Sequence, residues 1–197
     1  MKKGLFTIVT ALILLACGDG NVVVQVDPAL QFTEDSITIA EYMEDKGYTF
    51  ETTSSGVRYV ILEDGSGDPI DESDIVTFDY IGMLTNDSIF DTSIKAVGDS
   101  IRNVEDIPAK FTSTFTETRN YSPFTITYSF SGWTINGQFV QGFSDGVSAS
   151  FREMNVDGRA LIVMPSALAY GTSGSGLIIP PNTVIAFELL PTDVIKQ

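Results

Sequence analysis

Short apolar runs, rich in β-branched and aromatic residues and divided by turns instead of helical segments, constrain this chain more than any other feature. Val57–Leu62, Ile75–Tyr80, Ala160–Met164 and Val184–Leu190 are such runs, and Phe124–Phe130 alternates as a half-buried strand does. Asp64–Pro69 is a turn, Gly82 and Thr85-Asn86-Asp87 close the second run, and Ile89-Phe90-Asp91 follows as a short strand. Pro165 and a loop holding Gly171, Gly174, Gly176, Pro180 and Pro181 separate the last two runs. In this half of the chain only the stretch from Phe139 to Val147 reads as entering a helix, ending near Ser150. Many strands, one short helix and no βα alternation predict an α+β fold, a twisted antiparallel sheet that buries one face on that helix. No internal repeat or heptad pattern is present.

Upstream, Gly18–Phe32 reads as a tether in which Val22-Val23-Val24 offers at most one strand. Thr33-Glu34-Asp35 marks a helix start and Gly47 its stop. Ile39, Tyr42 and Met43 share one face of that helix, which leaves two readings: a helix packed on the domain, or a solvated amphipathic spacer.

The chemistry open to the chain is narrow. Its 197 residues carry a net charge of −15, contain no histidine and include one cysteine. The acidic balance argues against nucleic acid as a partner, because a phosphate backbone needs a positive footprint. Without histidine there is no His-based triad, His metal site or imidazole pH switch. One cysteine excludes an intrachain disulfide and a CxxC pair. Ser144 and Ser166 lack a base and are poor nucleophiles. Asp64, Asp68, Asp71, Glu72 and Asp74 do not follow the spacing of an EF-hand loop and read as a solvated turn. No metal and no cofactor is expected.

The first 17 residues run from Lys2-Lys3 through an apolar segment, Leu5–Ala16, to Cys17. That segment is too short for a comfortable permanent span. Leu14-Leu15-Ala16-Cys17 resembles the lipobox of bacterial lipoprotein signal peptides, which implies cleavage of residues 1–16 and acylation of Cys17. An ordinary secretory signal, or a buried helix with an inert cysteine, is the alternative.

A second resemblance covers about Gly56 to Leu190. Its pieces are Asp64-Gly65-Ser66-Gly67, Val76-Thr77-Phe78-Asp79-Tyr80-Ile81-Gly82, Phe90-Asp91-Thr92-Ser93, Pro123-Phe124, Val140-Gln141-Gly142-Phe143 and Gly158-Arg159-Ala160. They continue with Ile162-Val163-Met164-Pro165-Ser166-Ala167-Leu168-Ala169-Tyr170-Gly171, Ile178-Ile179-Pro180-Pro181-Asn182-Thr183 and Phe187-Glu188-Leu189. In this order the set resembles the FKBP-type peptidyl-prolyl isomerases. The resemblance implies a five- or six-stranded antiparallel sheet curved around one short helix, with an apolar pocket between them.

Carried over by position, the resemblance implies a pocket walled by Tyr80, Phe90, Phe124, Val140, Tyr170, Ile179 and Phe187, with Asp91 as the polar wall residue. Phe143 stands where the family usually has a tryptophan floor, and the lone tryptophan, Trp133, lies elsewhere. The N–H of Val140 and the hydroxyl of Tyr170 are expected to orient a peptide. Phe78, Ile162 and Leu189 read as core.

Rotation about an X-Pro bond needs neither proton transfer nor a nucleophile. Its barrier is amide resonance, so a dry aromatic pocket that favours the twisted, less polar amide is enough. The implied function is a membrane-tethered isomerase acting on proline-containing segments of unfolded exported proteins in the bacterial cell envelope, facing the periplasm or the exterior. Two alternatives stay open: a non-catalytic peptide-binding or chaperone module, and a surface lipoprotein that binds glycan through Trp133 and Tyr121.

The expected organisation is a signal peptide (1–16), a tether with a short helix (17–55), the isomerase-like domain (56–191) and a tail (192–197). Ile94–Ser122, 29 residues where the family uses about half a dozen, is an insertion beside the pocket, and Gly132–Gln138 is a smaller one. Lys95, Arg102, Lys110 and Arg119 make the longer insertion the least acidic stretch.

Overall fold

A computed structural model describes residues 27–103, 114–116, 118–131 and 140–197. Cys17, the leader-like segment 1–16, Lys110 and Trp133 lie outside the described residues. Seven strands form one sheet: β1 (Glu51–Thr52), β2 (Arg58–Glu63), β3 (Ile75–Leu84), β4 (Ile89–Thr92), β5 (Phe124–Thr127), β6 (Arg159–Met164) and β7 (Ile185–Ile195). Their spatial order is β1-β2-β6-β7-β3-β4, with β5 also on β3, and every pairing is antiparallel. Among the described residues three α-helices accompany them: α1 (Pro28–Lys46), α2 (Lys95–Arg102) and α3 (Gln141–Ser150).

The expected α+β architecture is present, with more strands than the five or six anticipated. β1 adds a two-residue bridge, and one edge of β3 is shared by two strands. β4 pairs with Ile81–Met83, while β5 pairs with Ile75–Phe78 on the same edge. The segment 94–122 leaves the sheet after β4 and the chain re-enters it at β5, on the same interrupted edge of β3.

Alternation along the central strands assigns two cores. Ala160, Ile162 and Met164 of β6, with Ile185, Phe187 and Leu189 of β7, face α3 and pack with its Phe143, Val147 and Phe151. Leu161 and Val163, with Val184 and Ala186, face the other way and meet Ile39, Tyr42 and Met43 of α1. This is why β6 reads as an unbroken apolar run: a strand covered on both faces has no polar positions to offer. The helix face read from Ile39, Tyr42 and Met43 is packed, not solvated, and each fully buried side chain of this kind contributes about 1.5–3 kcal/mol.

Several boundaries differ from the sequence reading, β3 among them, which runs on past Tyr80 to Leu84. α1 begins at Pro28, not at Thr33, because the Asp27 carboxylate accepts the Ala29 N–H at 2.9 Å and Pro28 fits the first helical turn without an N–H to satisfy. Its stop is as expected: Gly47 takes a left-handed conformation and donates its N–H to Glu44 O. β5 ends at Thr127, short of Phe130, because Tyr128 turns inward and donates its hydroxyl to Ser148 O at 2.7 Å, tying the strand end to α3. The polar segment after β4 begins with a helix the sequence reading did not anticipate: α2, with Lys95–Asp99 and Arg102–Asp99 pairs along its face.

β7 continues through Pro191 to Ile195, into residues read as a tail, and Lys196 beyond it joins the acidic turn. Its ammonium contacts Asp71 at 2.7 Å, Asp74 at 2.8 Å and Pro69 O at 2.8 Å. The acidic run therefore holds a lysine, and no group of metal-ligating side chains occurs among the described residues.

Candidate functional site

The aromatic residues of β3, β4, β5, β7 and α3 meet in one continuous layer. Tyr80 stacks on Phe124 with ring centroids 4.8 Å apart, and Phe124 meets Phe143 at 5.8 Å. Phe143 meets Phe187 edge-on at 4.8 Å, and Phe187 meets Phe90 edge-on at 5.5 Å. Offset and edge-to-face geometry lets each ring edge meet a ring face, a favourable quadrupole contact beyond simple burial. Gly82 makes the layer possible: a Cβ there would lie 2.7 Å from Phe187 Cε1 and 2.8 Å from Phe90 Cε2. The sheet places these residues by register, since Gly82 pairs with Phe187 on one side and with Asp91 on the other.

In front of this layer is a cavity of about 190 Å³ lined by Phe90, Asp91, Thr114, Arg119, Tyr170, Ser175, Ile178 and Ile179. Of the residues expected to form the site, Phe90, Asp91, Tyr170 and Ile179 line it. Tyr80, Phe124, Phe143 and Phe187 do not line it and stand in the aromatic layer. Val140 is the residue that begins α3, half-buried against the same core. Eight of the nine positions belong to one hydrophobic cluster, and Asp91 joins it through the Tyr80 hydroxyl.

Tyr170 sits just after a 3₁₀ turn, Ser166–Leu168, and its carbonyl accepts the Gly174 N–H at 3.2 Å. The loop folds back further through the Asn182 N–H to Gly171 O, 2.8 Å. Leu168 rests against α3 at Gly142, where a Cβ would come within 3.0 Å of the leucine Cβ.

The electrostatics centre on Asp91. Its carboxylate accepts the Tyr80 hydroxyl at 3.1 Å and the Thr92 N–H at 2.8 Å, and forms an ion pair with Arg119. Burial, then the charge and hydrogen bond of Asp91, push the Tyr80 phenol up, with Arg119 opposing. Burial and then Asp91 push the Tyr170 phenol up as well. Both phenols remain protonated donors at neutral pH.

Sequence reasoning missed Arg119 and Thr114 as site residues; both come from the polar segment between β4 and β5. Arg119 also donates to Thr114 O at 3.1 Å and lies 5.3 and 5.4 Å from the ring centroids of Phe115 and Tyr121. Phe115 is fully buried, and Tyr121 packs on α2 over Gly98. The available signal was a lone arginine between aromatics within a polar stretch, which carries no register. Tyr121, considered for sugar stacking, is half-buried beneath Arg119 instead of presenting a bare ring.

The family model described as FKBP-type peptidyl-prolyl cis-trans isomerase matches residues 67–190. A probable FKBP-type peptidyl-prolyl cis-trans isomerase of Haemophilus influenzae is 28% identical over 149 residues, 76% of this chain and 47% of that protein. One of Neisseria meningitidis serogroup B is 30% identical over 139 residues, 71% of this chain and 38% of that protein. The chain therefore spans less than half the length of these curated relatives. A crystal structure of a peptidyl-prolyl cis-trans isomerase from Pseudomonas syringae shares the fold, with TM-score 0.51 and 19% identity over 87% of this chain and 98% of that one.

Proposed function

The chain belongs to the FKBP-type peptidyl-prolyl cis-trans isomerase family, and on that premise we propose that it catalyses rotation about X-Pro bonds in extracytoplasmic proteins. The observation that carries this reading is the cavity bounded by Phe90, Asp91, Tyr170 and Ile179 in front of a continuous aromatic layer. A proline ring fills such a site by apolar contact, and the chain beside it needs only oriented donors. The Tyr170 hydroxyl and the Val140 N–H orient the peptide carbonyls, while Asp91, held by Tyr80 and Arg119, fixes the polar wall. As the amide twists, its oxygen loses partial negative charge. A water-poor aromatic site therefore disfavours the planar amide more than the twisted one. No bond is made or broken, which suits a site with no histidine and with phenols kept protonated.

The anchor belongs to the same proposal. The lipobox-like Leu14-Leu15-Ala16-Cys17 supports export and acylation of Cys17, placing the domain on a bacterial envelope membrane where unfolded exported segments are its clients. More than one acyl chain gives the durable attachment that a single chain does not.

The test is isomerisation of a short X-Pro peptide by the full-length chain in detergent, beside its Tyr170→Phe and Phe187→Ala variants. Acceleration that falls in both variants is expected; a folded wild type without acceleration overturns the enzyme reading. Loss of membrane-bound protein on Cys17→Ser tests the anchor. A second reading, a peptide-binding module without turnover, is favoured by one observation: Thr114 and Arg119 of the insertion line the cavity itself. In that case peptide binds and the rate does not change.

A further inference from the structure

We infer that Asp35, on the outer helix α1, is a positioning residue for the Tyr170 loop. Asp35 is 2% exposed, and one carboxylate oxygen accepts both the N–H of Ser166 at 2.8 Å and its hydroxyl at 2.7 Å. The other oxygen accepts the Gln31 side-chain amide at 2.8 Å. A buried carboxylate is tolerated only where donors satisfy it, and here three do. Two of the three come from a residue 131 positions away in the chain.

Ser166 is the first residue of the 3₁₀ turn that follows β6 and is itself 1% exposed. The same turn sets Leu168 against Gly142 at the start of α3, and two residues later Tyr170 enters the cavity lining. α1 cannot drift, because Ile39, Tyr42 and Met43 fix it to the outer face of β6 and β7. The carboxylate thus anchors the beginning of the rim loop to a layer on the far side of the sheet. Its loss would leave the buried Ser166 N–H and hydroxyl without their acceptor and free the turn to shift, carrying Tyr170 with it. The segment before the domain, otherwise a spacer, acquires a part in shaping the site.

The catalytic consequence rests on the isomerase reading; the structural one does not. The experiment compares full-length wild type, Asp35→Ala, Asp35→Asn and Ser166→Ala in detergent, by hydrogen exchange and by X-Pro peptide isomerisation. Asp35→Ala is expected to lose exchange protection in residues 166–174 while β6 and β7 keep theirs. With it, kcat/KM falls about tenfold through KM, the signature of lost binding geometry. Asp35→Asn retains both, since its amide oxygen still takes the two Ser166 donors and the Gln31 amide can turn to meet its NH₂. Ser166→Ala falls between them.

Unchanged protection at 166–174 in folded Asp35→Ala overturns the inference. So does a loss of protection spread evenly over the sheet, which would mark a purely structural role. A wild type without turnover would sink the isomerase reading, and the exchange comparison alone would then decide whether Asp35 holds the turn.

Discussion

Arg119 places its guanidinium on the Asp91 carboxylate, joining the end of β4 to the stretch just before β5. Thr114 and Arg119 thereby stand at the cavity. Phe115 and Tyr121 flank the arginine on either side, so the described part of the insertion has a small core of its own next to the rim.

Arg119→Ala should cost little stability, about 0–1 kcal/mol, because the arginine and aspartate side chains are 21% and 36% exposed. Its effect should fall on the insertion and the site: faster limited proteolysis within 94–122 and a severalfold lower kcat/KM, with Tm nearly unchanged. A higher kcat/KM would show that the insertion obstructs the cavity instead of completing it.

Phe187→Ala removes the ring that meets Phe90, Phe143 and Tyr80 at once. The expected loss is about 3–5 kcal/mol by urea unfolding, since the aromatic layer cannot close over the void. A loss under about 1 kcal/mol would show that the neighbouring rings collapse into the space.

Gly82→Ala tests how tightly the layer rests on β3. The new methyl meets ring atoms of Phe187 and Phe90 below 3.0 Å, so both rings must move. A loss of about 1–3 kcal/mol is expected, with a change in peptide affinity as the cavity wall shifts. Unaltered stability and affinity would mean that the rings are not held as described.

The pH response should be flat where most enzymes show a bell. The chain has no histidine, and the phenols of Tyr80 and Tyr170 are raised, so kcat/KM should not vary between about pH 6 and 9. Stability should behave differently at alkaline pH. Burial, followed by nearby Asp87, raises the Tyr42 phenol to about 12, and burial raises Tyr128 to about 12 despite Arg152. The unfolded chain releases these protons near pH 10 while the folded one keeps them. Stability is therefore full below about pH 10 and declines as pH rises toward 12. A midpoint near pH 7 in either measurement would contradict this assignment.

Local pattern in the sequence determined the strands, their inward faces and the ring-bearing positions. The alternation through Val76, Phe78 and Tyr80, and again through Ile185, Phe187 and Leu189, states which side chains share a face before any partner strand is known. The residues expected at the site came together because they sit on such strands or beside fixed turns. Helix α1 was readable as a face but not in its start, since Asp27-Pro28 lay in a stretch of tether-like composition.

Only the tertiary structure decided what joins across the chain. Arg119 reaches Asp91 across 28 positions, and Asp35 reaches Ser166 across 131. Periodicity fixes which side of an element a residue occupies, but it says nothing about where a loop ends or which distant donor a carboxylate will meet. Those pairings follow from the path of the insertion and the seat of α1 on the sheet, which the packing of the whole molecule sets.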